Sequence, residues 1–299
     1  MIIDIHTHIT FGRYPEFSSI LKRQRFTTKI LLERMDKEGI DKSVLLPITN
    51  PENVDYLAIA GNLECVEAAR KHPDRLLTFC CIDPRNMLNT PTADLSGLLR
   101  VYKDLGCVGI GELCANIPIT DPCFMNLFQH AGREKMPVLM HFASRSGGLY
   151  GVIDDLHLPG LERVLKECPN TIVIGHAMSF WGEISASLTP EEREGYPKGP
   201  IKKEGRLWKL LEKYPNLYGD LSAGSGFNAI SRDPEVGYRF LQRFNKKLFF
   251  GTDRFTSRTE PVPAVLPFLK EALKKGKISK PAYENIMSRN FVRVFGVGK

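Results

Sequence analysis

Two histidines one residue apart, His6 and His8, close an apolar run that begins at Ile2. Side chains alternate with a period of two along an extended strand, so both imidazoles project from one face. Two neutral imidazole nitrogens on one face can share a cation, at ~2.0–2.1 Å for zinc. Histidines pressed into a packed interior without a partner would instead leave buried nitrogens unsatisfied. A lone His-Thr-His is also what hydrogen-bonded strand histidines look like, so the weight of this pair depends on the other polar residues in similar positions. Glu112 ends Val108-Gly-Ile-Gly-Glu, His141 ends Val138-Leu-Met-His, His176 ends Ile172-Val-Ile-Gly-His, and Asp253 follows Leu248-Phe-Phe-Gly-Thr. Each closes a different apolar run. His72, His130 and His157 lie in helical or loop segments and read as structural.

The segments that must position these groups alternate from end to end. Apolar runs at 2–6, 43–48, 76–82, 108–112, 138–141, 171–176, 217–220 and 248–251 are separated by amphipathic or capped segments at 28–37, 56–71, 95–105, 121–135, 161–167, 206–213, 234–244 and 261–274. Strand–helix alternation predicts parallel pairing, and eight such units predict an α/β chain closed as a (β/α)₈ TIM barrel. At 299 residues, with no repeat, low-complexity tract or Gly/Ser linker, the chain reads as a single domain over 1–299. Barrel enzymes build their sites at the C-terminal ends of the strands, where all six residues fall. The longest irregular stretch, 178–200, follows the sixth strand and reads either as a substrate lid or as a packed surface excursion.

The ordered set resembles the amidohydrolase superfamily, in the amidohydrolase-related branch that also holds non-oxidative decarboxylases, and the likeness covers essentially the whole chain. It is carried by the His6/His8 pair at the first strand, His141 at the fifth, His176 at the sixth and Asp253 at the eighth. Local matches are Val173-Ile-Gly-His, Phe250-Gly-Thr-Asp and the closing Asn290-Phe-Val-Arg-Val-Phe-Gly. In mononuclear members the resemblance implies that His6, His8, His141 and Asp253 hold one metal and leave His176 for catalysis. Binuclear members add a bridging carboxylate or modified lysine. No lysine stands at the fourth strand end, but Glu112 resembles the bridging glutamate of TatD-like nucleases, which would put His141 and His176 on a second ion. Glu112 orienting a ligand from behind is the other reading. The implied cofactor is a divalent metal, zinc first and manganese as the alternative, as one or two ions.

Such a site is expected to hydrolyse amides, lactones or esters with metal-activated water. Asp253 would serve as ligand and as proton carrier, and His176, if free, would stabilise the oxyanion. Decarboxylation of a small unsaturated or aromatic acid is the first rival. A TatD-like phosphoesterase and a non-catalytic protein with a structural metal are the others. Arg145, four residues beyond His141, and Arg254, beside Asp253, are expected to anchor a carboxylate or phosphate. Trp181 is expected to close over the ligand or to pack beneath the long loop, and Ser222, Ser225 and Cys114 are read as pocket lining.

The formal charge of +7 fits an anionic small-molecule substrate, because the basic residues, such as Lys22, Arg23, Arg25, Lys202, Lys203, Lys246 and Lys247, are scattered and do not form a nucleic-acid groove. No GxGxxG opens a helix, so no nucleotide cofactor is expected. Seven cysteines without a CxxC pair read as reduced thiols. No apolar run reaches the ~20 residues needed to span a bilayer, and the first residues lack the pattern of a signal peptide, so a cytoplasmic protein without membrane contact is expected. Assembly into a homo-oligomer is left open.

Overall fold

The eight apolar runs fold as parallel strands in a computed structural model, which describes residues 1–10, 26–255 and 264–297. The strands are β1 (Ile3–Thr7), β2 (Lys42–Leu45), β3 (Leu76–Cys80), β4 (Cys107–Leu113), β5 (Val138–Ala143), β6 (Val173–His176), β7 (Leu217–Asp220) and β8 (Leu248–Phe249). They pair in sequence order. The ends of this sheet meet where Ile5 donates its amide to the Phe250 carbonyl at 3.0 Å and Asp253 donates to the carbonyl of His6 at 2.8 Å. The result is a barrel. Parallel order forces each crossover to the outside, so all strand C-termini share one rim.

The crossovers carry α1 (Thr28–Glu38), α2 (Asn62–Lys71), α3 (Leu95–Asp104), α4 (Pro122–Glu134), α5 (Pro159–Glu167) and α6 (Arg206–Lys213). After β7 come α7 (Ala223–Ser231) and α8 (Pro234–Arg243), and α9 (Val265–Lys274) follows β8. Local chemistry sets several starts: the side chains of Thr27, Asp94, Asp121 and Asp233 each accept a first-turn amide. The helix expected at 56–71 is broken, because Ala58 adopts a left-handed conformation (φ 53°) and the main helix begins after Gly61. Helix α7 was not expected: two glycines within Ala-Gly-Ser-Gly-Phe-Asn-Ala-Ile-Ser make it a poor helix former, so tertiary packing supplies what propensity does not.

Inside the barrel, alternate residues Ile3, Ile5, Val44, Leu139, Ile174 and Phe249 form the packed layer beneath the rim. The closing Asn290–Phe295 helix seals the opposite end, where Phe291 and Phe295 pack with Phe79, Phe249 and residues near the strand starts such as Leu77 and Val108. The seven cysteines are all buried free thiols. Among the described residues no helix is long and apolar enough to cross a membrane. Lys22, Arg23 and Arg25, and positions 261–263 of the helix expected at 261–274, lie outside the described residues.

The 178–200 segment contains a short helix (Met178–Trp181) and two 3₁₀ turns, and it is tied to the wall by buried charge. Arg193 is buried and donates Nη1 to the Asp154 carbonyl at 2.7 Å, while the buried carboxylate of Glu183 accepts the His157 amide. Trp181 does not cover a ligand. It is fully buried, donates Nε1 to the Asp220 carbonyl at 2.8 Å and packs edge-on to Phe180 and Phe240. Gly219 makes room for it, since a Cβ there would meet the indole at 2.9 Å.

Candidate metal centre

At the rim, His6 Nε2 and His8 Nε2 stand 3.0 Å apart. Glu112 Oε2 lies 3.5 Å from the first and 3.4 Å from the second, and Asp253 Oδ1 lies 3.4 and 3.3 Å from the same two atoms. Ligands at ~2.05 Å around a tetrahedral ion are separated by about 3.3 Å, so the spacing of these donors fits a divalent metal. The positions of the other ring nitrogens support the same reading. His6 Nδ1 donates to Asp220 Oδ2 at 2.7 Å and His8 Nδ1 to the Leu46 carbonyl at 2.7 Å, which leaves both Nε2 lone pairs aimed into the cluster.

The second oxygen of Glu112 faces elsewhere. Oε1 lies 2.7 Å from His141 Nδ1 and 3.8 Å from His176 Nε2, and His176 Nε2 is 3.9 Å from Asp253 Oδ2. Of the expected shell, His6, His8 and Asp253 cluster directly, Glu112 lies at ligand spacing from the same two histidines, and His141 sits across that carboxylate. The strand-four backbone places Glu112 between two pairs of histidines, a relation that spacing along the chain does not reveal.

The electrostatics call for positive charge. Burial works against a charged His6, but the carboxylates of Asp253, Glu112 and Asp220 outweigh it and raise its pKa well above the ordinary value. Burial likewise opposes ionisation of Glu112, yet His6, His141 and His8 hold its carboxyl well below the usual range. Protons on the histidines and divalent cations compete for the same carboxylate field, and metal binding would displace the protons. Cys114 is also close, within a cluster with Glu112 and His141; burial and then Glu112 push its thiol well above its ordinary pKa.

Asp220 is the residue that sequence reasoning missed. Its Oδ2 accepts from His6 Nδ1, lies 3.1 Å from His176 Nδ1 and accepts from Ser222 Oγ at 2.6 Å. It ends β7 as the other acids and histidines end their strands, and that was the available signal. Ser222 is fully buried in this network and does not line a pocket. Because one carboxylate orients two imidazoles, Asp220→Asn is expected to weaken metal affinity by about 10–100-fold with the fold intact, as read by metal titration and circular dichroism. Affinity within twofold of wild type would remove this role.

Beside the cluster lies a cavity of about 140 Å³ lined by His141, His176, Asp253, Glu194, Tyr196 and Ser225, among others. That volume suits a small molecule, being well under the ~300 Å³ at which drug-sized pockets begin. A larger hollow of about 350 Å³ between Thr27, Glu64 and His72 contains none of the clustered donors. Three non-glycine residues with positive φ, Ala177 (81°), Ala223 (60°) and Asp253 (54°), sit just past the ends of β6, β7 and β8 and line the cavity. Such conformations cost ~1–3 kcal/mol each and gather at functional sites.

Neither expected arginine anchor is free. Arg254 is buried and its guanidinium pairs with Glu38 on α1, so it ties β8 to the outer helix layer and does not face the cavity. Arg145 is half-exposed; its Nε donates to Glu194 Oε1 at 2.9 Å and its Nη1 to the Gly147 carbonyl. The group that reaches the cavity wall here is therefore Glu194, whose carboxyl Ser144 and Arg145 hold below its usual pKa. His130 bonds Ser96 and His157 faces Glu183, away from the cluster.

The Amidohydrolase family model matches residues 3–297. No curated protein matches the sequence. Among solved structures, 2,6-dihydroxybenzoate decarboxylase from Rhizobium aligns over 99% of this chain and 98% of its own at 17% identity and a TM-score of 0.61. A probable 2-pyrone-4,6-dicarboxylic acid hydrolase from Acinetobacter baumannii, with citric acid bound, aligns over 99% of each chain at 15% identity and a TM-score of 0.60. A dihydroxybenzoic acid decarboxylase from Polaromonas, with bound manganese, aligns over 100% of this chain and 97% of its own at 15% identity and a TM-score of 0.60. At these identities the likeness speaks for the shared barrel.

Proposed function

Since this chain belongs to the amidohydrolase family, we propose that it is a metal-dependent hydrolase of an amide, ester or lactone bond in a small molecule, with two divalent ions flanking Glu112. The observation that carries this reading is the division of the Glu112 carboxylate, with Oε2 toward His6 and His8 and Oε1 toward His141 and His176. His6, His8, Glu112 and Asp253 would hold one ion, and Glu112, His141 and His176 the other. When bound there, divalent ions supply Lewis acidity and make water nucleophilic near neutral pH.

The chain's own residues do the rest. Asp253, with 22% of its side chain exposed, is the acid that both faces the histidines and opens to the cavity. It takes the proton of the attacking water and returns it to the leaving group. Asp220 holds His6 and His176 by their Nδ1 atoms and so fixes the tautomers that leave Nε2 available. The wall formed by Tyr196 and Glu194 narrows the approach of water and substrate.

Decarboxylation is the second reading, favoured by the looser placement of His176, whose Nε2 is 3.8–3.9 Å from the nearest carboxylate oxygens. With one ion only, that imidazole would be free to protonate a carbon. Metal counting separates the two readings. In the two-ion reading, His141→Ala loses the second ion and keeps the first, so inductively coupled plasma analysis should find content falling from two per chain toward one. Wild-type protein saturating at one ion would transfer the case to decarboxylation.

A further inference from the structure

The cavity has a second polar wall that the chemistry above does not use. It is the first turn of α7, a nine-residue helix with no acidic residue at its start. The opening amides of a helix have no intrahelical partner, and here the N-cap residue does not serve them, because Ser222 Oγ donates to Asp220. Among the described residues, nothing accepts from the amides of Ala223, Gly224 or Ser225. The independent observation is Ser225. It is 4% exposed, lines the cavity, and its Oγ has no hydrogen-bond partner. Tyr196 leans over the same turn, for a Cβ on Gly224 would meet its hydroxyl at 2.9 Å.

These groups are donors, and the helix end adds partial positive charge, so their complement is an anionic oxygen. The two carboxylates that line the cavity do not cancel this. Asp253 is turned to His6, His8 and His176, and Arg145 neutralises Glu194. We propose that the first turn of α7, with Ser225 Oγ and the Tyr196 hydroxyl, binds a carboxylate of the substrate, in place of the arginines that the sequence put forward. The inference rests on the hydrolase reading for the other end of that substrate: a small carboxylate-bearing amide, ester or lactone whose scissile carbonyl lies at the histidine cluster.

The test is calorimetric titration of the metal-loaded protein with two hydroxamates that differ only at the tail, succinic monohydroxamic acid and butyrohydroxamic acid. The carboxylate-tailed probe should bind about tenfold more tightly, the scale of a hydrogen-bonded charge. Ser225→Ala should cut that advantage severalfold, and Ser225→Asp should abolish or reverse it. Should the aspartate variant not fold by circular dichroism, Tyr196→Phe gives the second reading, with a partial loss expected. Equal binding of the two probes to wild type, or an advantage untouched by Ser225→Ala and Tyr196→Phe, overturns the proposal. So does an advantage erased only by Arg145→Ala. Binding of neither probe overturns it together with the metal reading. A carboxylate preference in a protein that hydrolyses no amide, ester or lactone leaves it standing and removes the hydrolase reading alone.

Discussion

On the proposed two-ion hydrolase reading, Glu112→Gln should bring metal content from two ions per chain toward one and lower the hydrolytic rate by at least ~100-fold, since a carboxylate shared by both ions would be lost. Glutamine keeps the volume but replaces one oxygen by an NH₂ group, which cannot ligate, and removes a charge buried among four imidazoles. The side chain is nearly inaccessible, so water cannot stand in for the lost oxygen. Plasma analysis of protein dialysed against excess zinc or manganese, with circular dichroism to establish folding, reads the result. Two ions retained in Glu112→Gln would place the bridge elsewhere.

Asp253→Asn should lower kcat by about 10²–10⁴-fold, the range for loss of a positioned proton carrier. Asparagine is the informative replacement for a backbone reason. Asp253 sits at φ 54°, in the left-handed region, which asparagine adopts several-fold more readily than most residues. The amide can still place an oxygen toward His6 and His8 but cannot take up a proton, so at least one ion should remain while turnover falls. Alanine would confound the two effects by adding backbone strain of ~1–2 kcal/mol. Turnover within tenfold of wild type, with metal bound, would rule out Asp253 as the proton carrier.

These two residues show where the sequence was legible. Asp253 and Glu112 were found because each closes an apolar run, and a parallel barrel carries every strand end to one rim. His6, His8, His141 and His176 followed from the same rule, and Asp220 obeyed it unnoticed. The arginines were chosen by nearness along the chain to His141 and Asp253, a measure that does not reveal what each guanidinium pairs with. Arg254 turns back to Glu38, 216 positions away, and Arg145 is taken by Glu194, 49 away.

The sequence by itself determined the eight strand–helix units, their parallel closure and the set of polar groups at the rim. It could do so because apolar periodicity and caps are local, and parallel connectivity leaves one arrangement for the strand ends. Only the tertiary structure decided how the Glu112 carboxylate is divided, which nitrogen each imidazole presents, that Trp181 lies within the wall, and that a glycine-bearing segment becomes a helix beside the cavity. Each of these depends on atoms brought within 4 Å by strands far apart in sequence, such as His6 and Asp220 across 214 positions. Such distances arise from packing, which a local pattern constrains in kind but not in orientation.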